Sequence, residues 1–233
     1  SDRIKGANAC RNFGYEQSHG KYIQWFDSDD IMPKDALAQK VLLIENQSVD
    51  FVVGKVIFFE KTNEHIHRPY LLRSQNMLSD YISNNLFFYT HGPLFNRLFL
   101  DNQPYLFDEN LQMRQDGEFY FRLLLTQPKY IASELITAYI RVHPKNMTGN
   151  HKNKHPLDRI RIDIGYYFRC VENYLKYPSL QDKRFEWTSI QLIRSHANHS
   201  KSFQLLNDVY KCFNQVGLKG NTQCYFITII EML

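Results

Sequence analysis

Cysteine is scarce in this chain: Cys10, Cys170, Cys212 and Cys224 in 233 residues, with no CxxC pair. That excludes a disulfide scaffold and a thiolate zinc site, and it reads as free, largely buried thiols of a reducing compartment. No apolar run reaches transmembrane length, and no segment reads as a signal peptide. Internal repeats, low-complexity tracts and a Gly-rich phosphate loop are also missing. The net charge is only +4. That is compatible with an anionic substrate or a membrane surface, and too weak for nucleic acid, so no nucleic-acid partner is expected.

What is present is a globular composition, 43% hydrophobic and 22% charged, with a high aromatic content of 15%. It is enough for one large domain, or a domain with an appendage. Lys21–Asp30, KYIQWFDSDD, is the most informative stretch. Tyr22–Phe26 is β-branched or aromatic without a breaker and predicts a short buried strand, which runs directly into Asp27, Ser28, Asp29 and Asp30. Three carboxylates at a strand's end repel one another unless a cation sits among them, and the carboxyl ends of strands are where α/β sheets bind ligands. Turn and helix-cap chemistry accounts for the same residues, Asp30 above all, so metal site and turn stand as equal readings of the acids alone. An EF-hand starting at Asp27 fails, because Met32 and Ala38 occupy its glycine and glutamate positions.

The rest of the chain reads in order. Ala9–Gln17 predicts a short helix, with Arg11 and Asn12 near its start as either an anion site or ordinary surface residues. Pro33–Gln47 predicts an amphipathic helix burying Leu37, Val41 and Ile44. Val49–Phe59 predicts a strand with Gly54 as a bulge. Residues 60–75, with His65 and His67, read as a solvent loop, Thr90-His91-Gly92-Pro93 as a turn, and Leu94–Leu100 as a helix. Gln115–Leu124 predicts a second helix with Asp116 near its start, either a positioned base or a capping acid. Leu135–Arg141 predicts a strand, and His143 after it is a metal ligand or a structural histidine. Residues 143–161 turn basic and read as a linker or lid able to grip diphosphate or anionic headgroups. Apolar stripes at helical spacing follow from Pro156, and the apolar run Cys224–Leu233 reads as a buried helix or a partner interface through which the chain oligomerises.

Taken in series, these stretches resemble the family 2 glycosyltransferases. The residues that carry the resemblance are Gly6-x-Asn8-Ala9-x-Arg11-Asn12-x-Gly14, Gly20-Lys21-Tyr22-Ile23 into Phe26-Asp27-Ser28-Asp29-Asp30, Phe107-Asp108-Glu109, Gln115-Asp116 and Arg141-Val142-His143. The resemblance implies an α/β GT-A type mixed sheet with flanking helices over 1–148, its N-terminal strands absent, and a helical C-terminal region over 149–233. It implies that Asp27 and Asp29 form the DxD motif, with Asp27 near the ribose and Asp29 holding Mn²⁺ or Mg²⁺ on the diphosphate. Arg11 and Asn12 would lie near the nucleotide, Asp116 would be the base that deprotonates the acceptor hydroxyl, and His143 a further metal ligand or an acceptor-loop contact. The activity implied is metal-dependent, inverting transfer of a sugar from a nucleotide-diphosphate sugar to a hydroxyl of a saccharide or lipid-linked acceptor. The setting implied is cytoplasmic polysaccharide synthesis, peripheral at the inner membrane face.

The family's first strands and nucleotide-binding loop precede the segment at which this chain begins, so the sequence reads as N-terminally truncated, and the resemblance predicts activity for the parent protein. Two other classes compete. A non-catalytic module, a degenerate transferase domain holding a glycan or partner, is favoured by the missing segment and opposed by the retained Asp29 and Asp116. A nucleotidyltransferase also joins metal and phosphate on an α/β sheet, but leaves Asp116 without a task.

Overall fold

The computed structural model describes residues 6–59, 65–66, 70–111, 113–142, 155–180, 182–200, 207 and 211. Contacts divide the chain into two compact units, Ser1–Asn146 and Met147–Leu233.

The first unit is built on one strand. β2 (Phe51–Phe59) pairs in parallel with β5 (Tyr130–Arg141) along one edge. Its other edge is shared by two short antiparallel strands, β4 (Pro93–Asn96) at Phe51–Val53 and β3 (His65–Ile66) at Phe58–Phe59. β1 (Tyr22–Ile23) extends the sheet beyond β4. β2 is buried along nearly its whole length, as a central strand covered on both faces must be. The predicted bulge falls at Gly54, where the β2–β5 register shifts. A β-carbon there would strike the Thr137 side chain and lie 2.7 Å from the Leu135 carbonyl, so only glycine lets the strands approach.

Helices α1 (Ala7–Gln17), α2 (Ala36–Gln47), α3 (Met77–Ile82), α4 (Arg97–Asp101) and α5 (Gln115–Leu125) flank this sheet. α5 is buried at every position but Asp116. Phe119 and Tyr120 pack on Phe95 of the sheet, and Phe119 stacks on Phe107 at 4.3 Å. Trp25 meets Phe95, Phe107 and Phe119 edge-on, at 5.1 to 5.9 Å. Much of the high aromatic content is thus core, and it fixes the chain two residues ahead of Asp27.

Four expectations change. Only Tyr22 and Ile23 of the predicted first strand enter the ladder, although Trp25 is buried. Leu94–Leu100 is a strand and then a short helix; its first half pairs with both β1 and β2 and so takes sheet geometry over helical spacing. His65–Ile66 is a strand rather than loop, while His67 lies outside the described residues. On α2 the buried stripe is Ala36, Lys40 and Ile44, with Leu37 44% exposed. The rotation follows from polar partners for Lys40 beneath the helix.

In the second unit, α6 (Pro156–Leu175) and α7 (Lys183–Ser200) form an antiparallel hairpin, since Tyr174 packs on Phe185 and Tyr167 on His196. Ile164, Phe168 and Val171 are buried as the stripe predicts, with Ile190 and Ile193 opposite; Leu175 and Trp187 are exposed. The third stripe and Cys224–Leu233 lie outside the described residues. No described helix is long and apolar enough to cross a membrane.

Candidate active site

The acids sit where β1 ends, on a loop that is held rather than free. Trp25 anchors its start, and the indole Nε1 donates to the Arg11 carbonyl at 3.1 Å. Its far end is clamped by β5: Ile31 and Tyr139 exchange backbone hydrogen bonds, Arg141 N donates to Asp30 Oδ1 at 2.7 Å, and Arg141 Nε donates to the Asp29 carbonyl at 3.1 Å.

Three side chains converge inside this clamp. His91 Nε2 lies 2.7 Å from Asp30 Oδ2 and 3.4 Å from Asp27 Oδ2. Side-chain exposure falls from 49% at Asp27 to 7% at His91 and 4% at Asp30. Burial pushes the imidazole pKa down, but the two carboxylates outweigh it and raise it to about 9. His91 in turn, with Arg11, holds the Asp27 carboxyl below its usual range. The sequence leaves Asp30 open between one of three acids around a cation and a turn or capping residue; it is the buried member of this group. His91 was expected only as part of a turn. Its signal in sequence is slight, a lone histidine before Gly-Pro at a strand's start.

Arg11 connects the acids to the second chemical stretch. Its guanidinium stands 3.7 Å from Asp27 Oδ1, donates to Gln115 Oε1 at 3.4 Å and lies over the Phe107 ring. Gln115 opens α5, and Asp116 follows it in the first turn. Asp116 Oδ1 accepts from the Gly117 N–H at 3.0 Å. Arg114 enters the helix in the left-handed region, φ 58°, a conformation that costs an ordinary side chain about 1 kcal/mol. Tyr120, one turn further on, is fully buried. Burial first, and then the negative charges of Asp116 and Asp27, raise its phenol pKa.

Asn12 does a different job. Its amide donates to the Phe107 carbonyl at 2.8 Å and to Glu109 Oε1 at 2.9 Å, and its Oδ1 accepts from Phe107 N. Asn8 holds the carbonyls of Asp108 and Leu111 in the same way. The two asparagines of α1 therefore pin the 107–111 loop. Asp29 is exposed at the loop's apex, and its carboxylate is not in the Asp27–Asp30–His91 group. His143 lies outside the described residues.

Residues 2–103 match the sequence model of "Glycosyl transferase family 2". Over this segment, less than half of the chain, the sequence is similar to that family. A curated relative, the succinoglycan biosynthesis protein ExoO of Rhizobium meliloti (strain 1021), is 28% identical over 49% of this chain and 36% of its own. The chain thus spans about a third of that relative's length. Among solved structures, S. aureus TarS superposes with TM-score 0.50 at 17% identity, over 83% of this chain and 31% of TarS. TarS 1–349 in complex with UDP-GlcNAc gives TM-score 0.50 at 13% identity, over 85% and 60%. At such identities the likeness is one of fold, the GT-A type mixed sheet with flanking helices. The matched segment contains Arg11, Asp27, Asp29, Asp30 and His91; Asp116 lies beyond it on α5, within the same compact unit.

Proposed function

We propose that this chain carries the metal and acceptor side of a glycosyltransferase that moves a sugar from a nucleotide-diphosphate sugar to a hydroxyl of a glycan or lipid-linked acceptor, with inversion. The observation that carries this reading is Arg11, whose guanidinium touches both Asp27 and Gln115 and so joins the acid loop to the start of α5.

A divalent ion fits the residues present. Asp27, Asp30 and His91 each offer one ligand atom within 4.8 Å of the others. Two carboxylates and an imidazole suit Mn²⁺, and the carboxylates suit Mg²⁺. Asp29, exposed on the same loop, would add a further carboxylate for the ion and its diphosphate. The ion supplies Lewis-acid stabilisation of the charge that develops on the departing diphosphate.

The chain's own residues then divide the work. Arg11 orients Asp27 and adds positive charge beside the leaving group. Asp116 takes the proton from the acceptor hydroxyl as its oxygen attacks the anomeric carbon. The new glycosidic bond forms as the bond to the diphosphate oxygen breaks, and a single displacement inverts the centre. Asn8 and Asn12 keep the 107–111 loop in place. Within this reading Met147–Leu233 is a separate helical region, the acceptor belongs to polysaccharide synthesis, and the enzyme works at the cytoplasmic membrane face.

Calorimetric titration of nucleoside diphosphates with Mn²⁺ into this chain and into Asp27→Ala and Asp29→Ala tests the proposal. Metal-dependent binding that falls at least tenfold in the variants is the expected result. Binding that ignores both the metal and the substitutions would leave a glycan- or partner-binding module in its place.

A further inference from the structure

Lys40 sits in the middle of the buried stripe of α2, where helical periodicity asks for an aliphatic residue, and it is 0% exposed. Its Nζ donates to Gln24 Oε1 at 2.6 Å and to the Gly92 carbonyl at 3.2 Å. Gln24 Nε2 in turn donates to the His91 carbonyl at 2.9 Å. Two consecutive carbonyls, His91 and Gly92, are thus held by one lysine and one glutamine. They lie just ahead of β4, whose pairing with β2 begins at Pro93.

The backbone at this point has little room to move. A β-carbon on Gly92 would come within 3.2 Å of the Gly54 carbonyl and 3.3 Å of the Tyr89 carbonyl. From the segment so held, the His91 ring reaches Asp27 and Asp30, with Phe26 packed edge-on against it at 5.1 Å. A methionine would fill the Lys40 volume without burying an amine. What lysine adds is donors directed at the polar atoms that carry His91, and a satisfied buried polar network of this kind specifies one arrangement.

We propose that Lys40 is a positioning residue: through Gln24 and the Gly92 carbonyl it fixes the His91–Gly92 backbone and so aims the His91 imidazole at Asp27 and Asp30. Its consequence for metal binding rests on the reading above; its consequence for the histidine does not. Partners of this kind, one step removed from the metal, set metal affinity by tenfold or more.

The test has two independent readouts. Mn²⁺ binding is followed by electron paramagnetic resonance of the free ion for the native chain, Lys40→Met, Gln24→Met, His91→Ala and the Lys40→Met/His91→Ala double variant. The ¹⁵N signals of the His91 ring are recorded without metal, and thermal melts confirm folding. Lys40→Met and Gln24→Met are expected to weaken Mn²⁺ binding about tenfold and to displace the ring signals. In the His91→Ala background, Lys40→Met is expected to have no further effect on affinity.

Unchanged ring signals and affinity in both single variants would overturn the proposal. So would a Lys40→Met loss of the same size with and without His91, since that marks a role in general stability. If the native chain binds no Mn²⁺, the metal reading falls and the ring signals alone decide about Lys40. Should Lys40→Met fail to fold, Gln24→Met breaks the same connection and carries the test.

Discussion

The two units bury polar groups for different purposes. In Ser1–Asn146, ionisable groups lie deep inside: Lys40, His91, Asp30, Glu118 and Arg122 are all nearly inaccessible. Each is held by hydrogen bonds or ion pairs that reach other segments of the unit. In the described part of Met147–Leu233 the buried polar residues are Asn173 and Ser189. Ser189 donates to the Phe185 carbonyl one turn earlier, and Asn173 Oδ1 accepts from Lys176 at the end of α6. An uncharged group used this way stabilises a helix; a buried charge fixes a position at energetic risk. The difference can be tested by removing buried groups from each unit.

The largest effect is expected at Arg122. It donates to Glu118 Oε1 at 3.0 Å and to the carbonyls of Tyr105 and Leu106, while Glu118 also accepts from the Tyr105 hydroxyl. α5 thereby grips the chain just before the 107–111 loop that α1 holds from the other side. Arg122→Met strands a buried carboxylate and is expected to cost about 3–5 kcal/mol. Chemical denaturation measures it. Adding Glu118→Gln should recover more than half of the loss, because the penalty lies in the unpaired charge.

A smaller effect sharpens the contrast through pH. His91 has a folded pKa of about 9 against an ordinary 6.5. Its contribution is fully present below about 6.5 and is lost as pH rises through 9, a total of about 3 kcal/mol. The charges facing it are Asp27 and Asp30, with Arg11 beyond Asp27. Lys40 has the opposite sign. Burial pushes its amine down to about 7 from 10.5, so stability rises with pH between those values. Between about pH 7 and 9 the folded state binds one proton more at His91 and one fewer at Lys40, and the two slopes cancel. Near-constant stability is expected for the native chain in this range. Lys40→Met should fall by about 1.4 kcal/mol per pH unit, and His91→Gln should rise by as much. Urea denaturation at pH 7, 8 and 9 checks all three.

Sequence periodicity finds α1, α2, α5, β2, β5 and α6 because each repeats one pattern over many residues. It misplaces β4, where LFNRLFL satisfies helical spacing while two neighbouring strands impose a ladder. At the site, Asp27 and Arg11 are legible because local patterns single them out, and the structure brings them together with the start of α5. Asp30 is legible only as one of three acids, and His91 and Lys40 are not legible. A buried aspartate looks like a turn acid, a histidine before Gly-Pro looks like a turn, and a lysine on an amphipathic helix looks exposed. What distinguishes them is a partner remote in sequence: Arg141 for Asp30, Asp30 for His91, Gly92 for Lys40.

The smallest expected effect belongs to the second unit. Asp182 stands just before α7; its Oδ1 accepts from Phe185 N at 2.9 Å and its carbonyl accepts from Glu186 N at 3.1 Å. This is helix capping, and the only charge it requires is one that the helix N-terminus already favours. Asp182→Ala is expected to cost about 1 kcal/mol, and Asp182→Asn, which keeps the accepting oxygen, only a few tenths. Denaturation of the two variants side by side measures the difference, and Mn²⁺ binding by the chain should be unchanged in both. A loss of several kcal/mol, on the scale of Arg122→Met, would mean that the second unit also depends on buried charge, and the contrast between the units would fail.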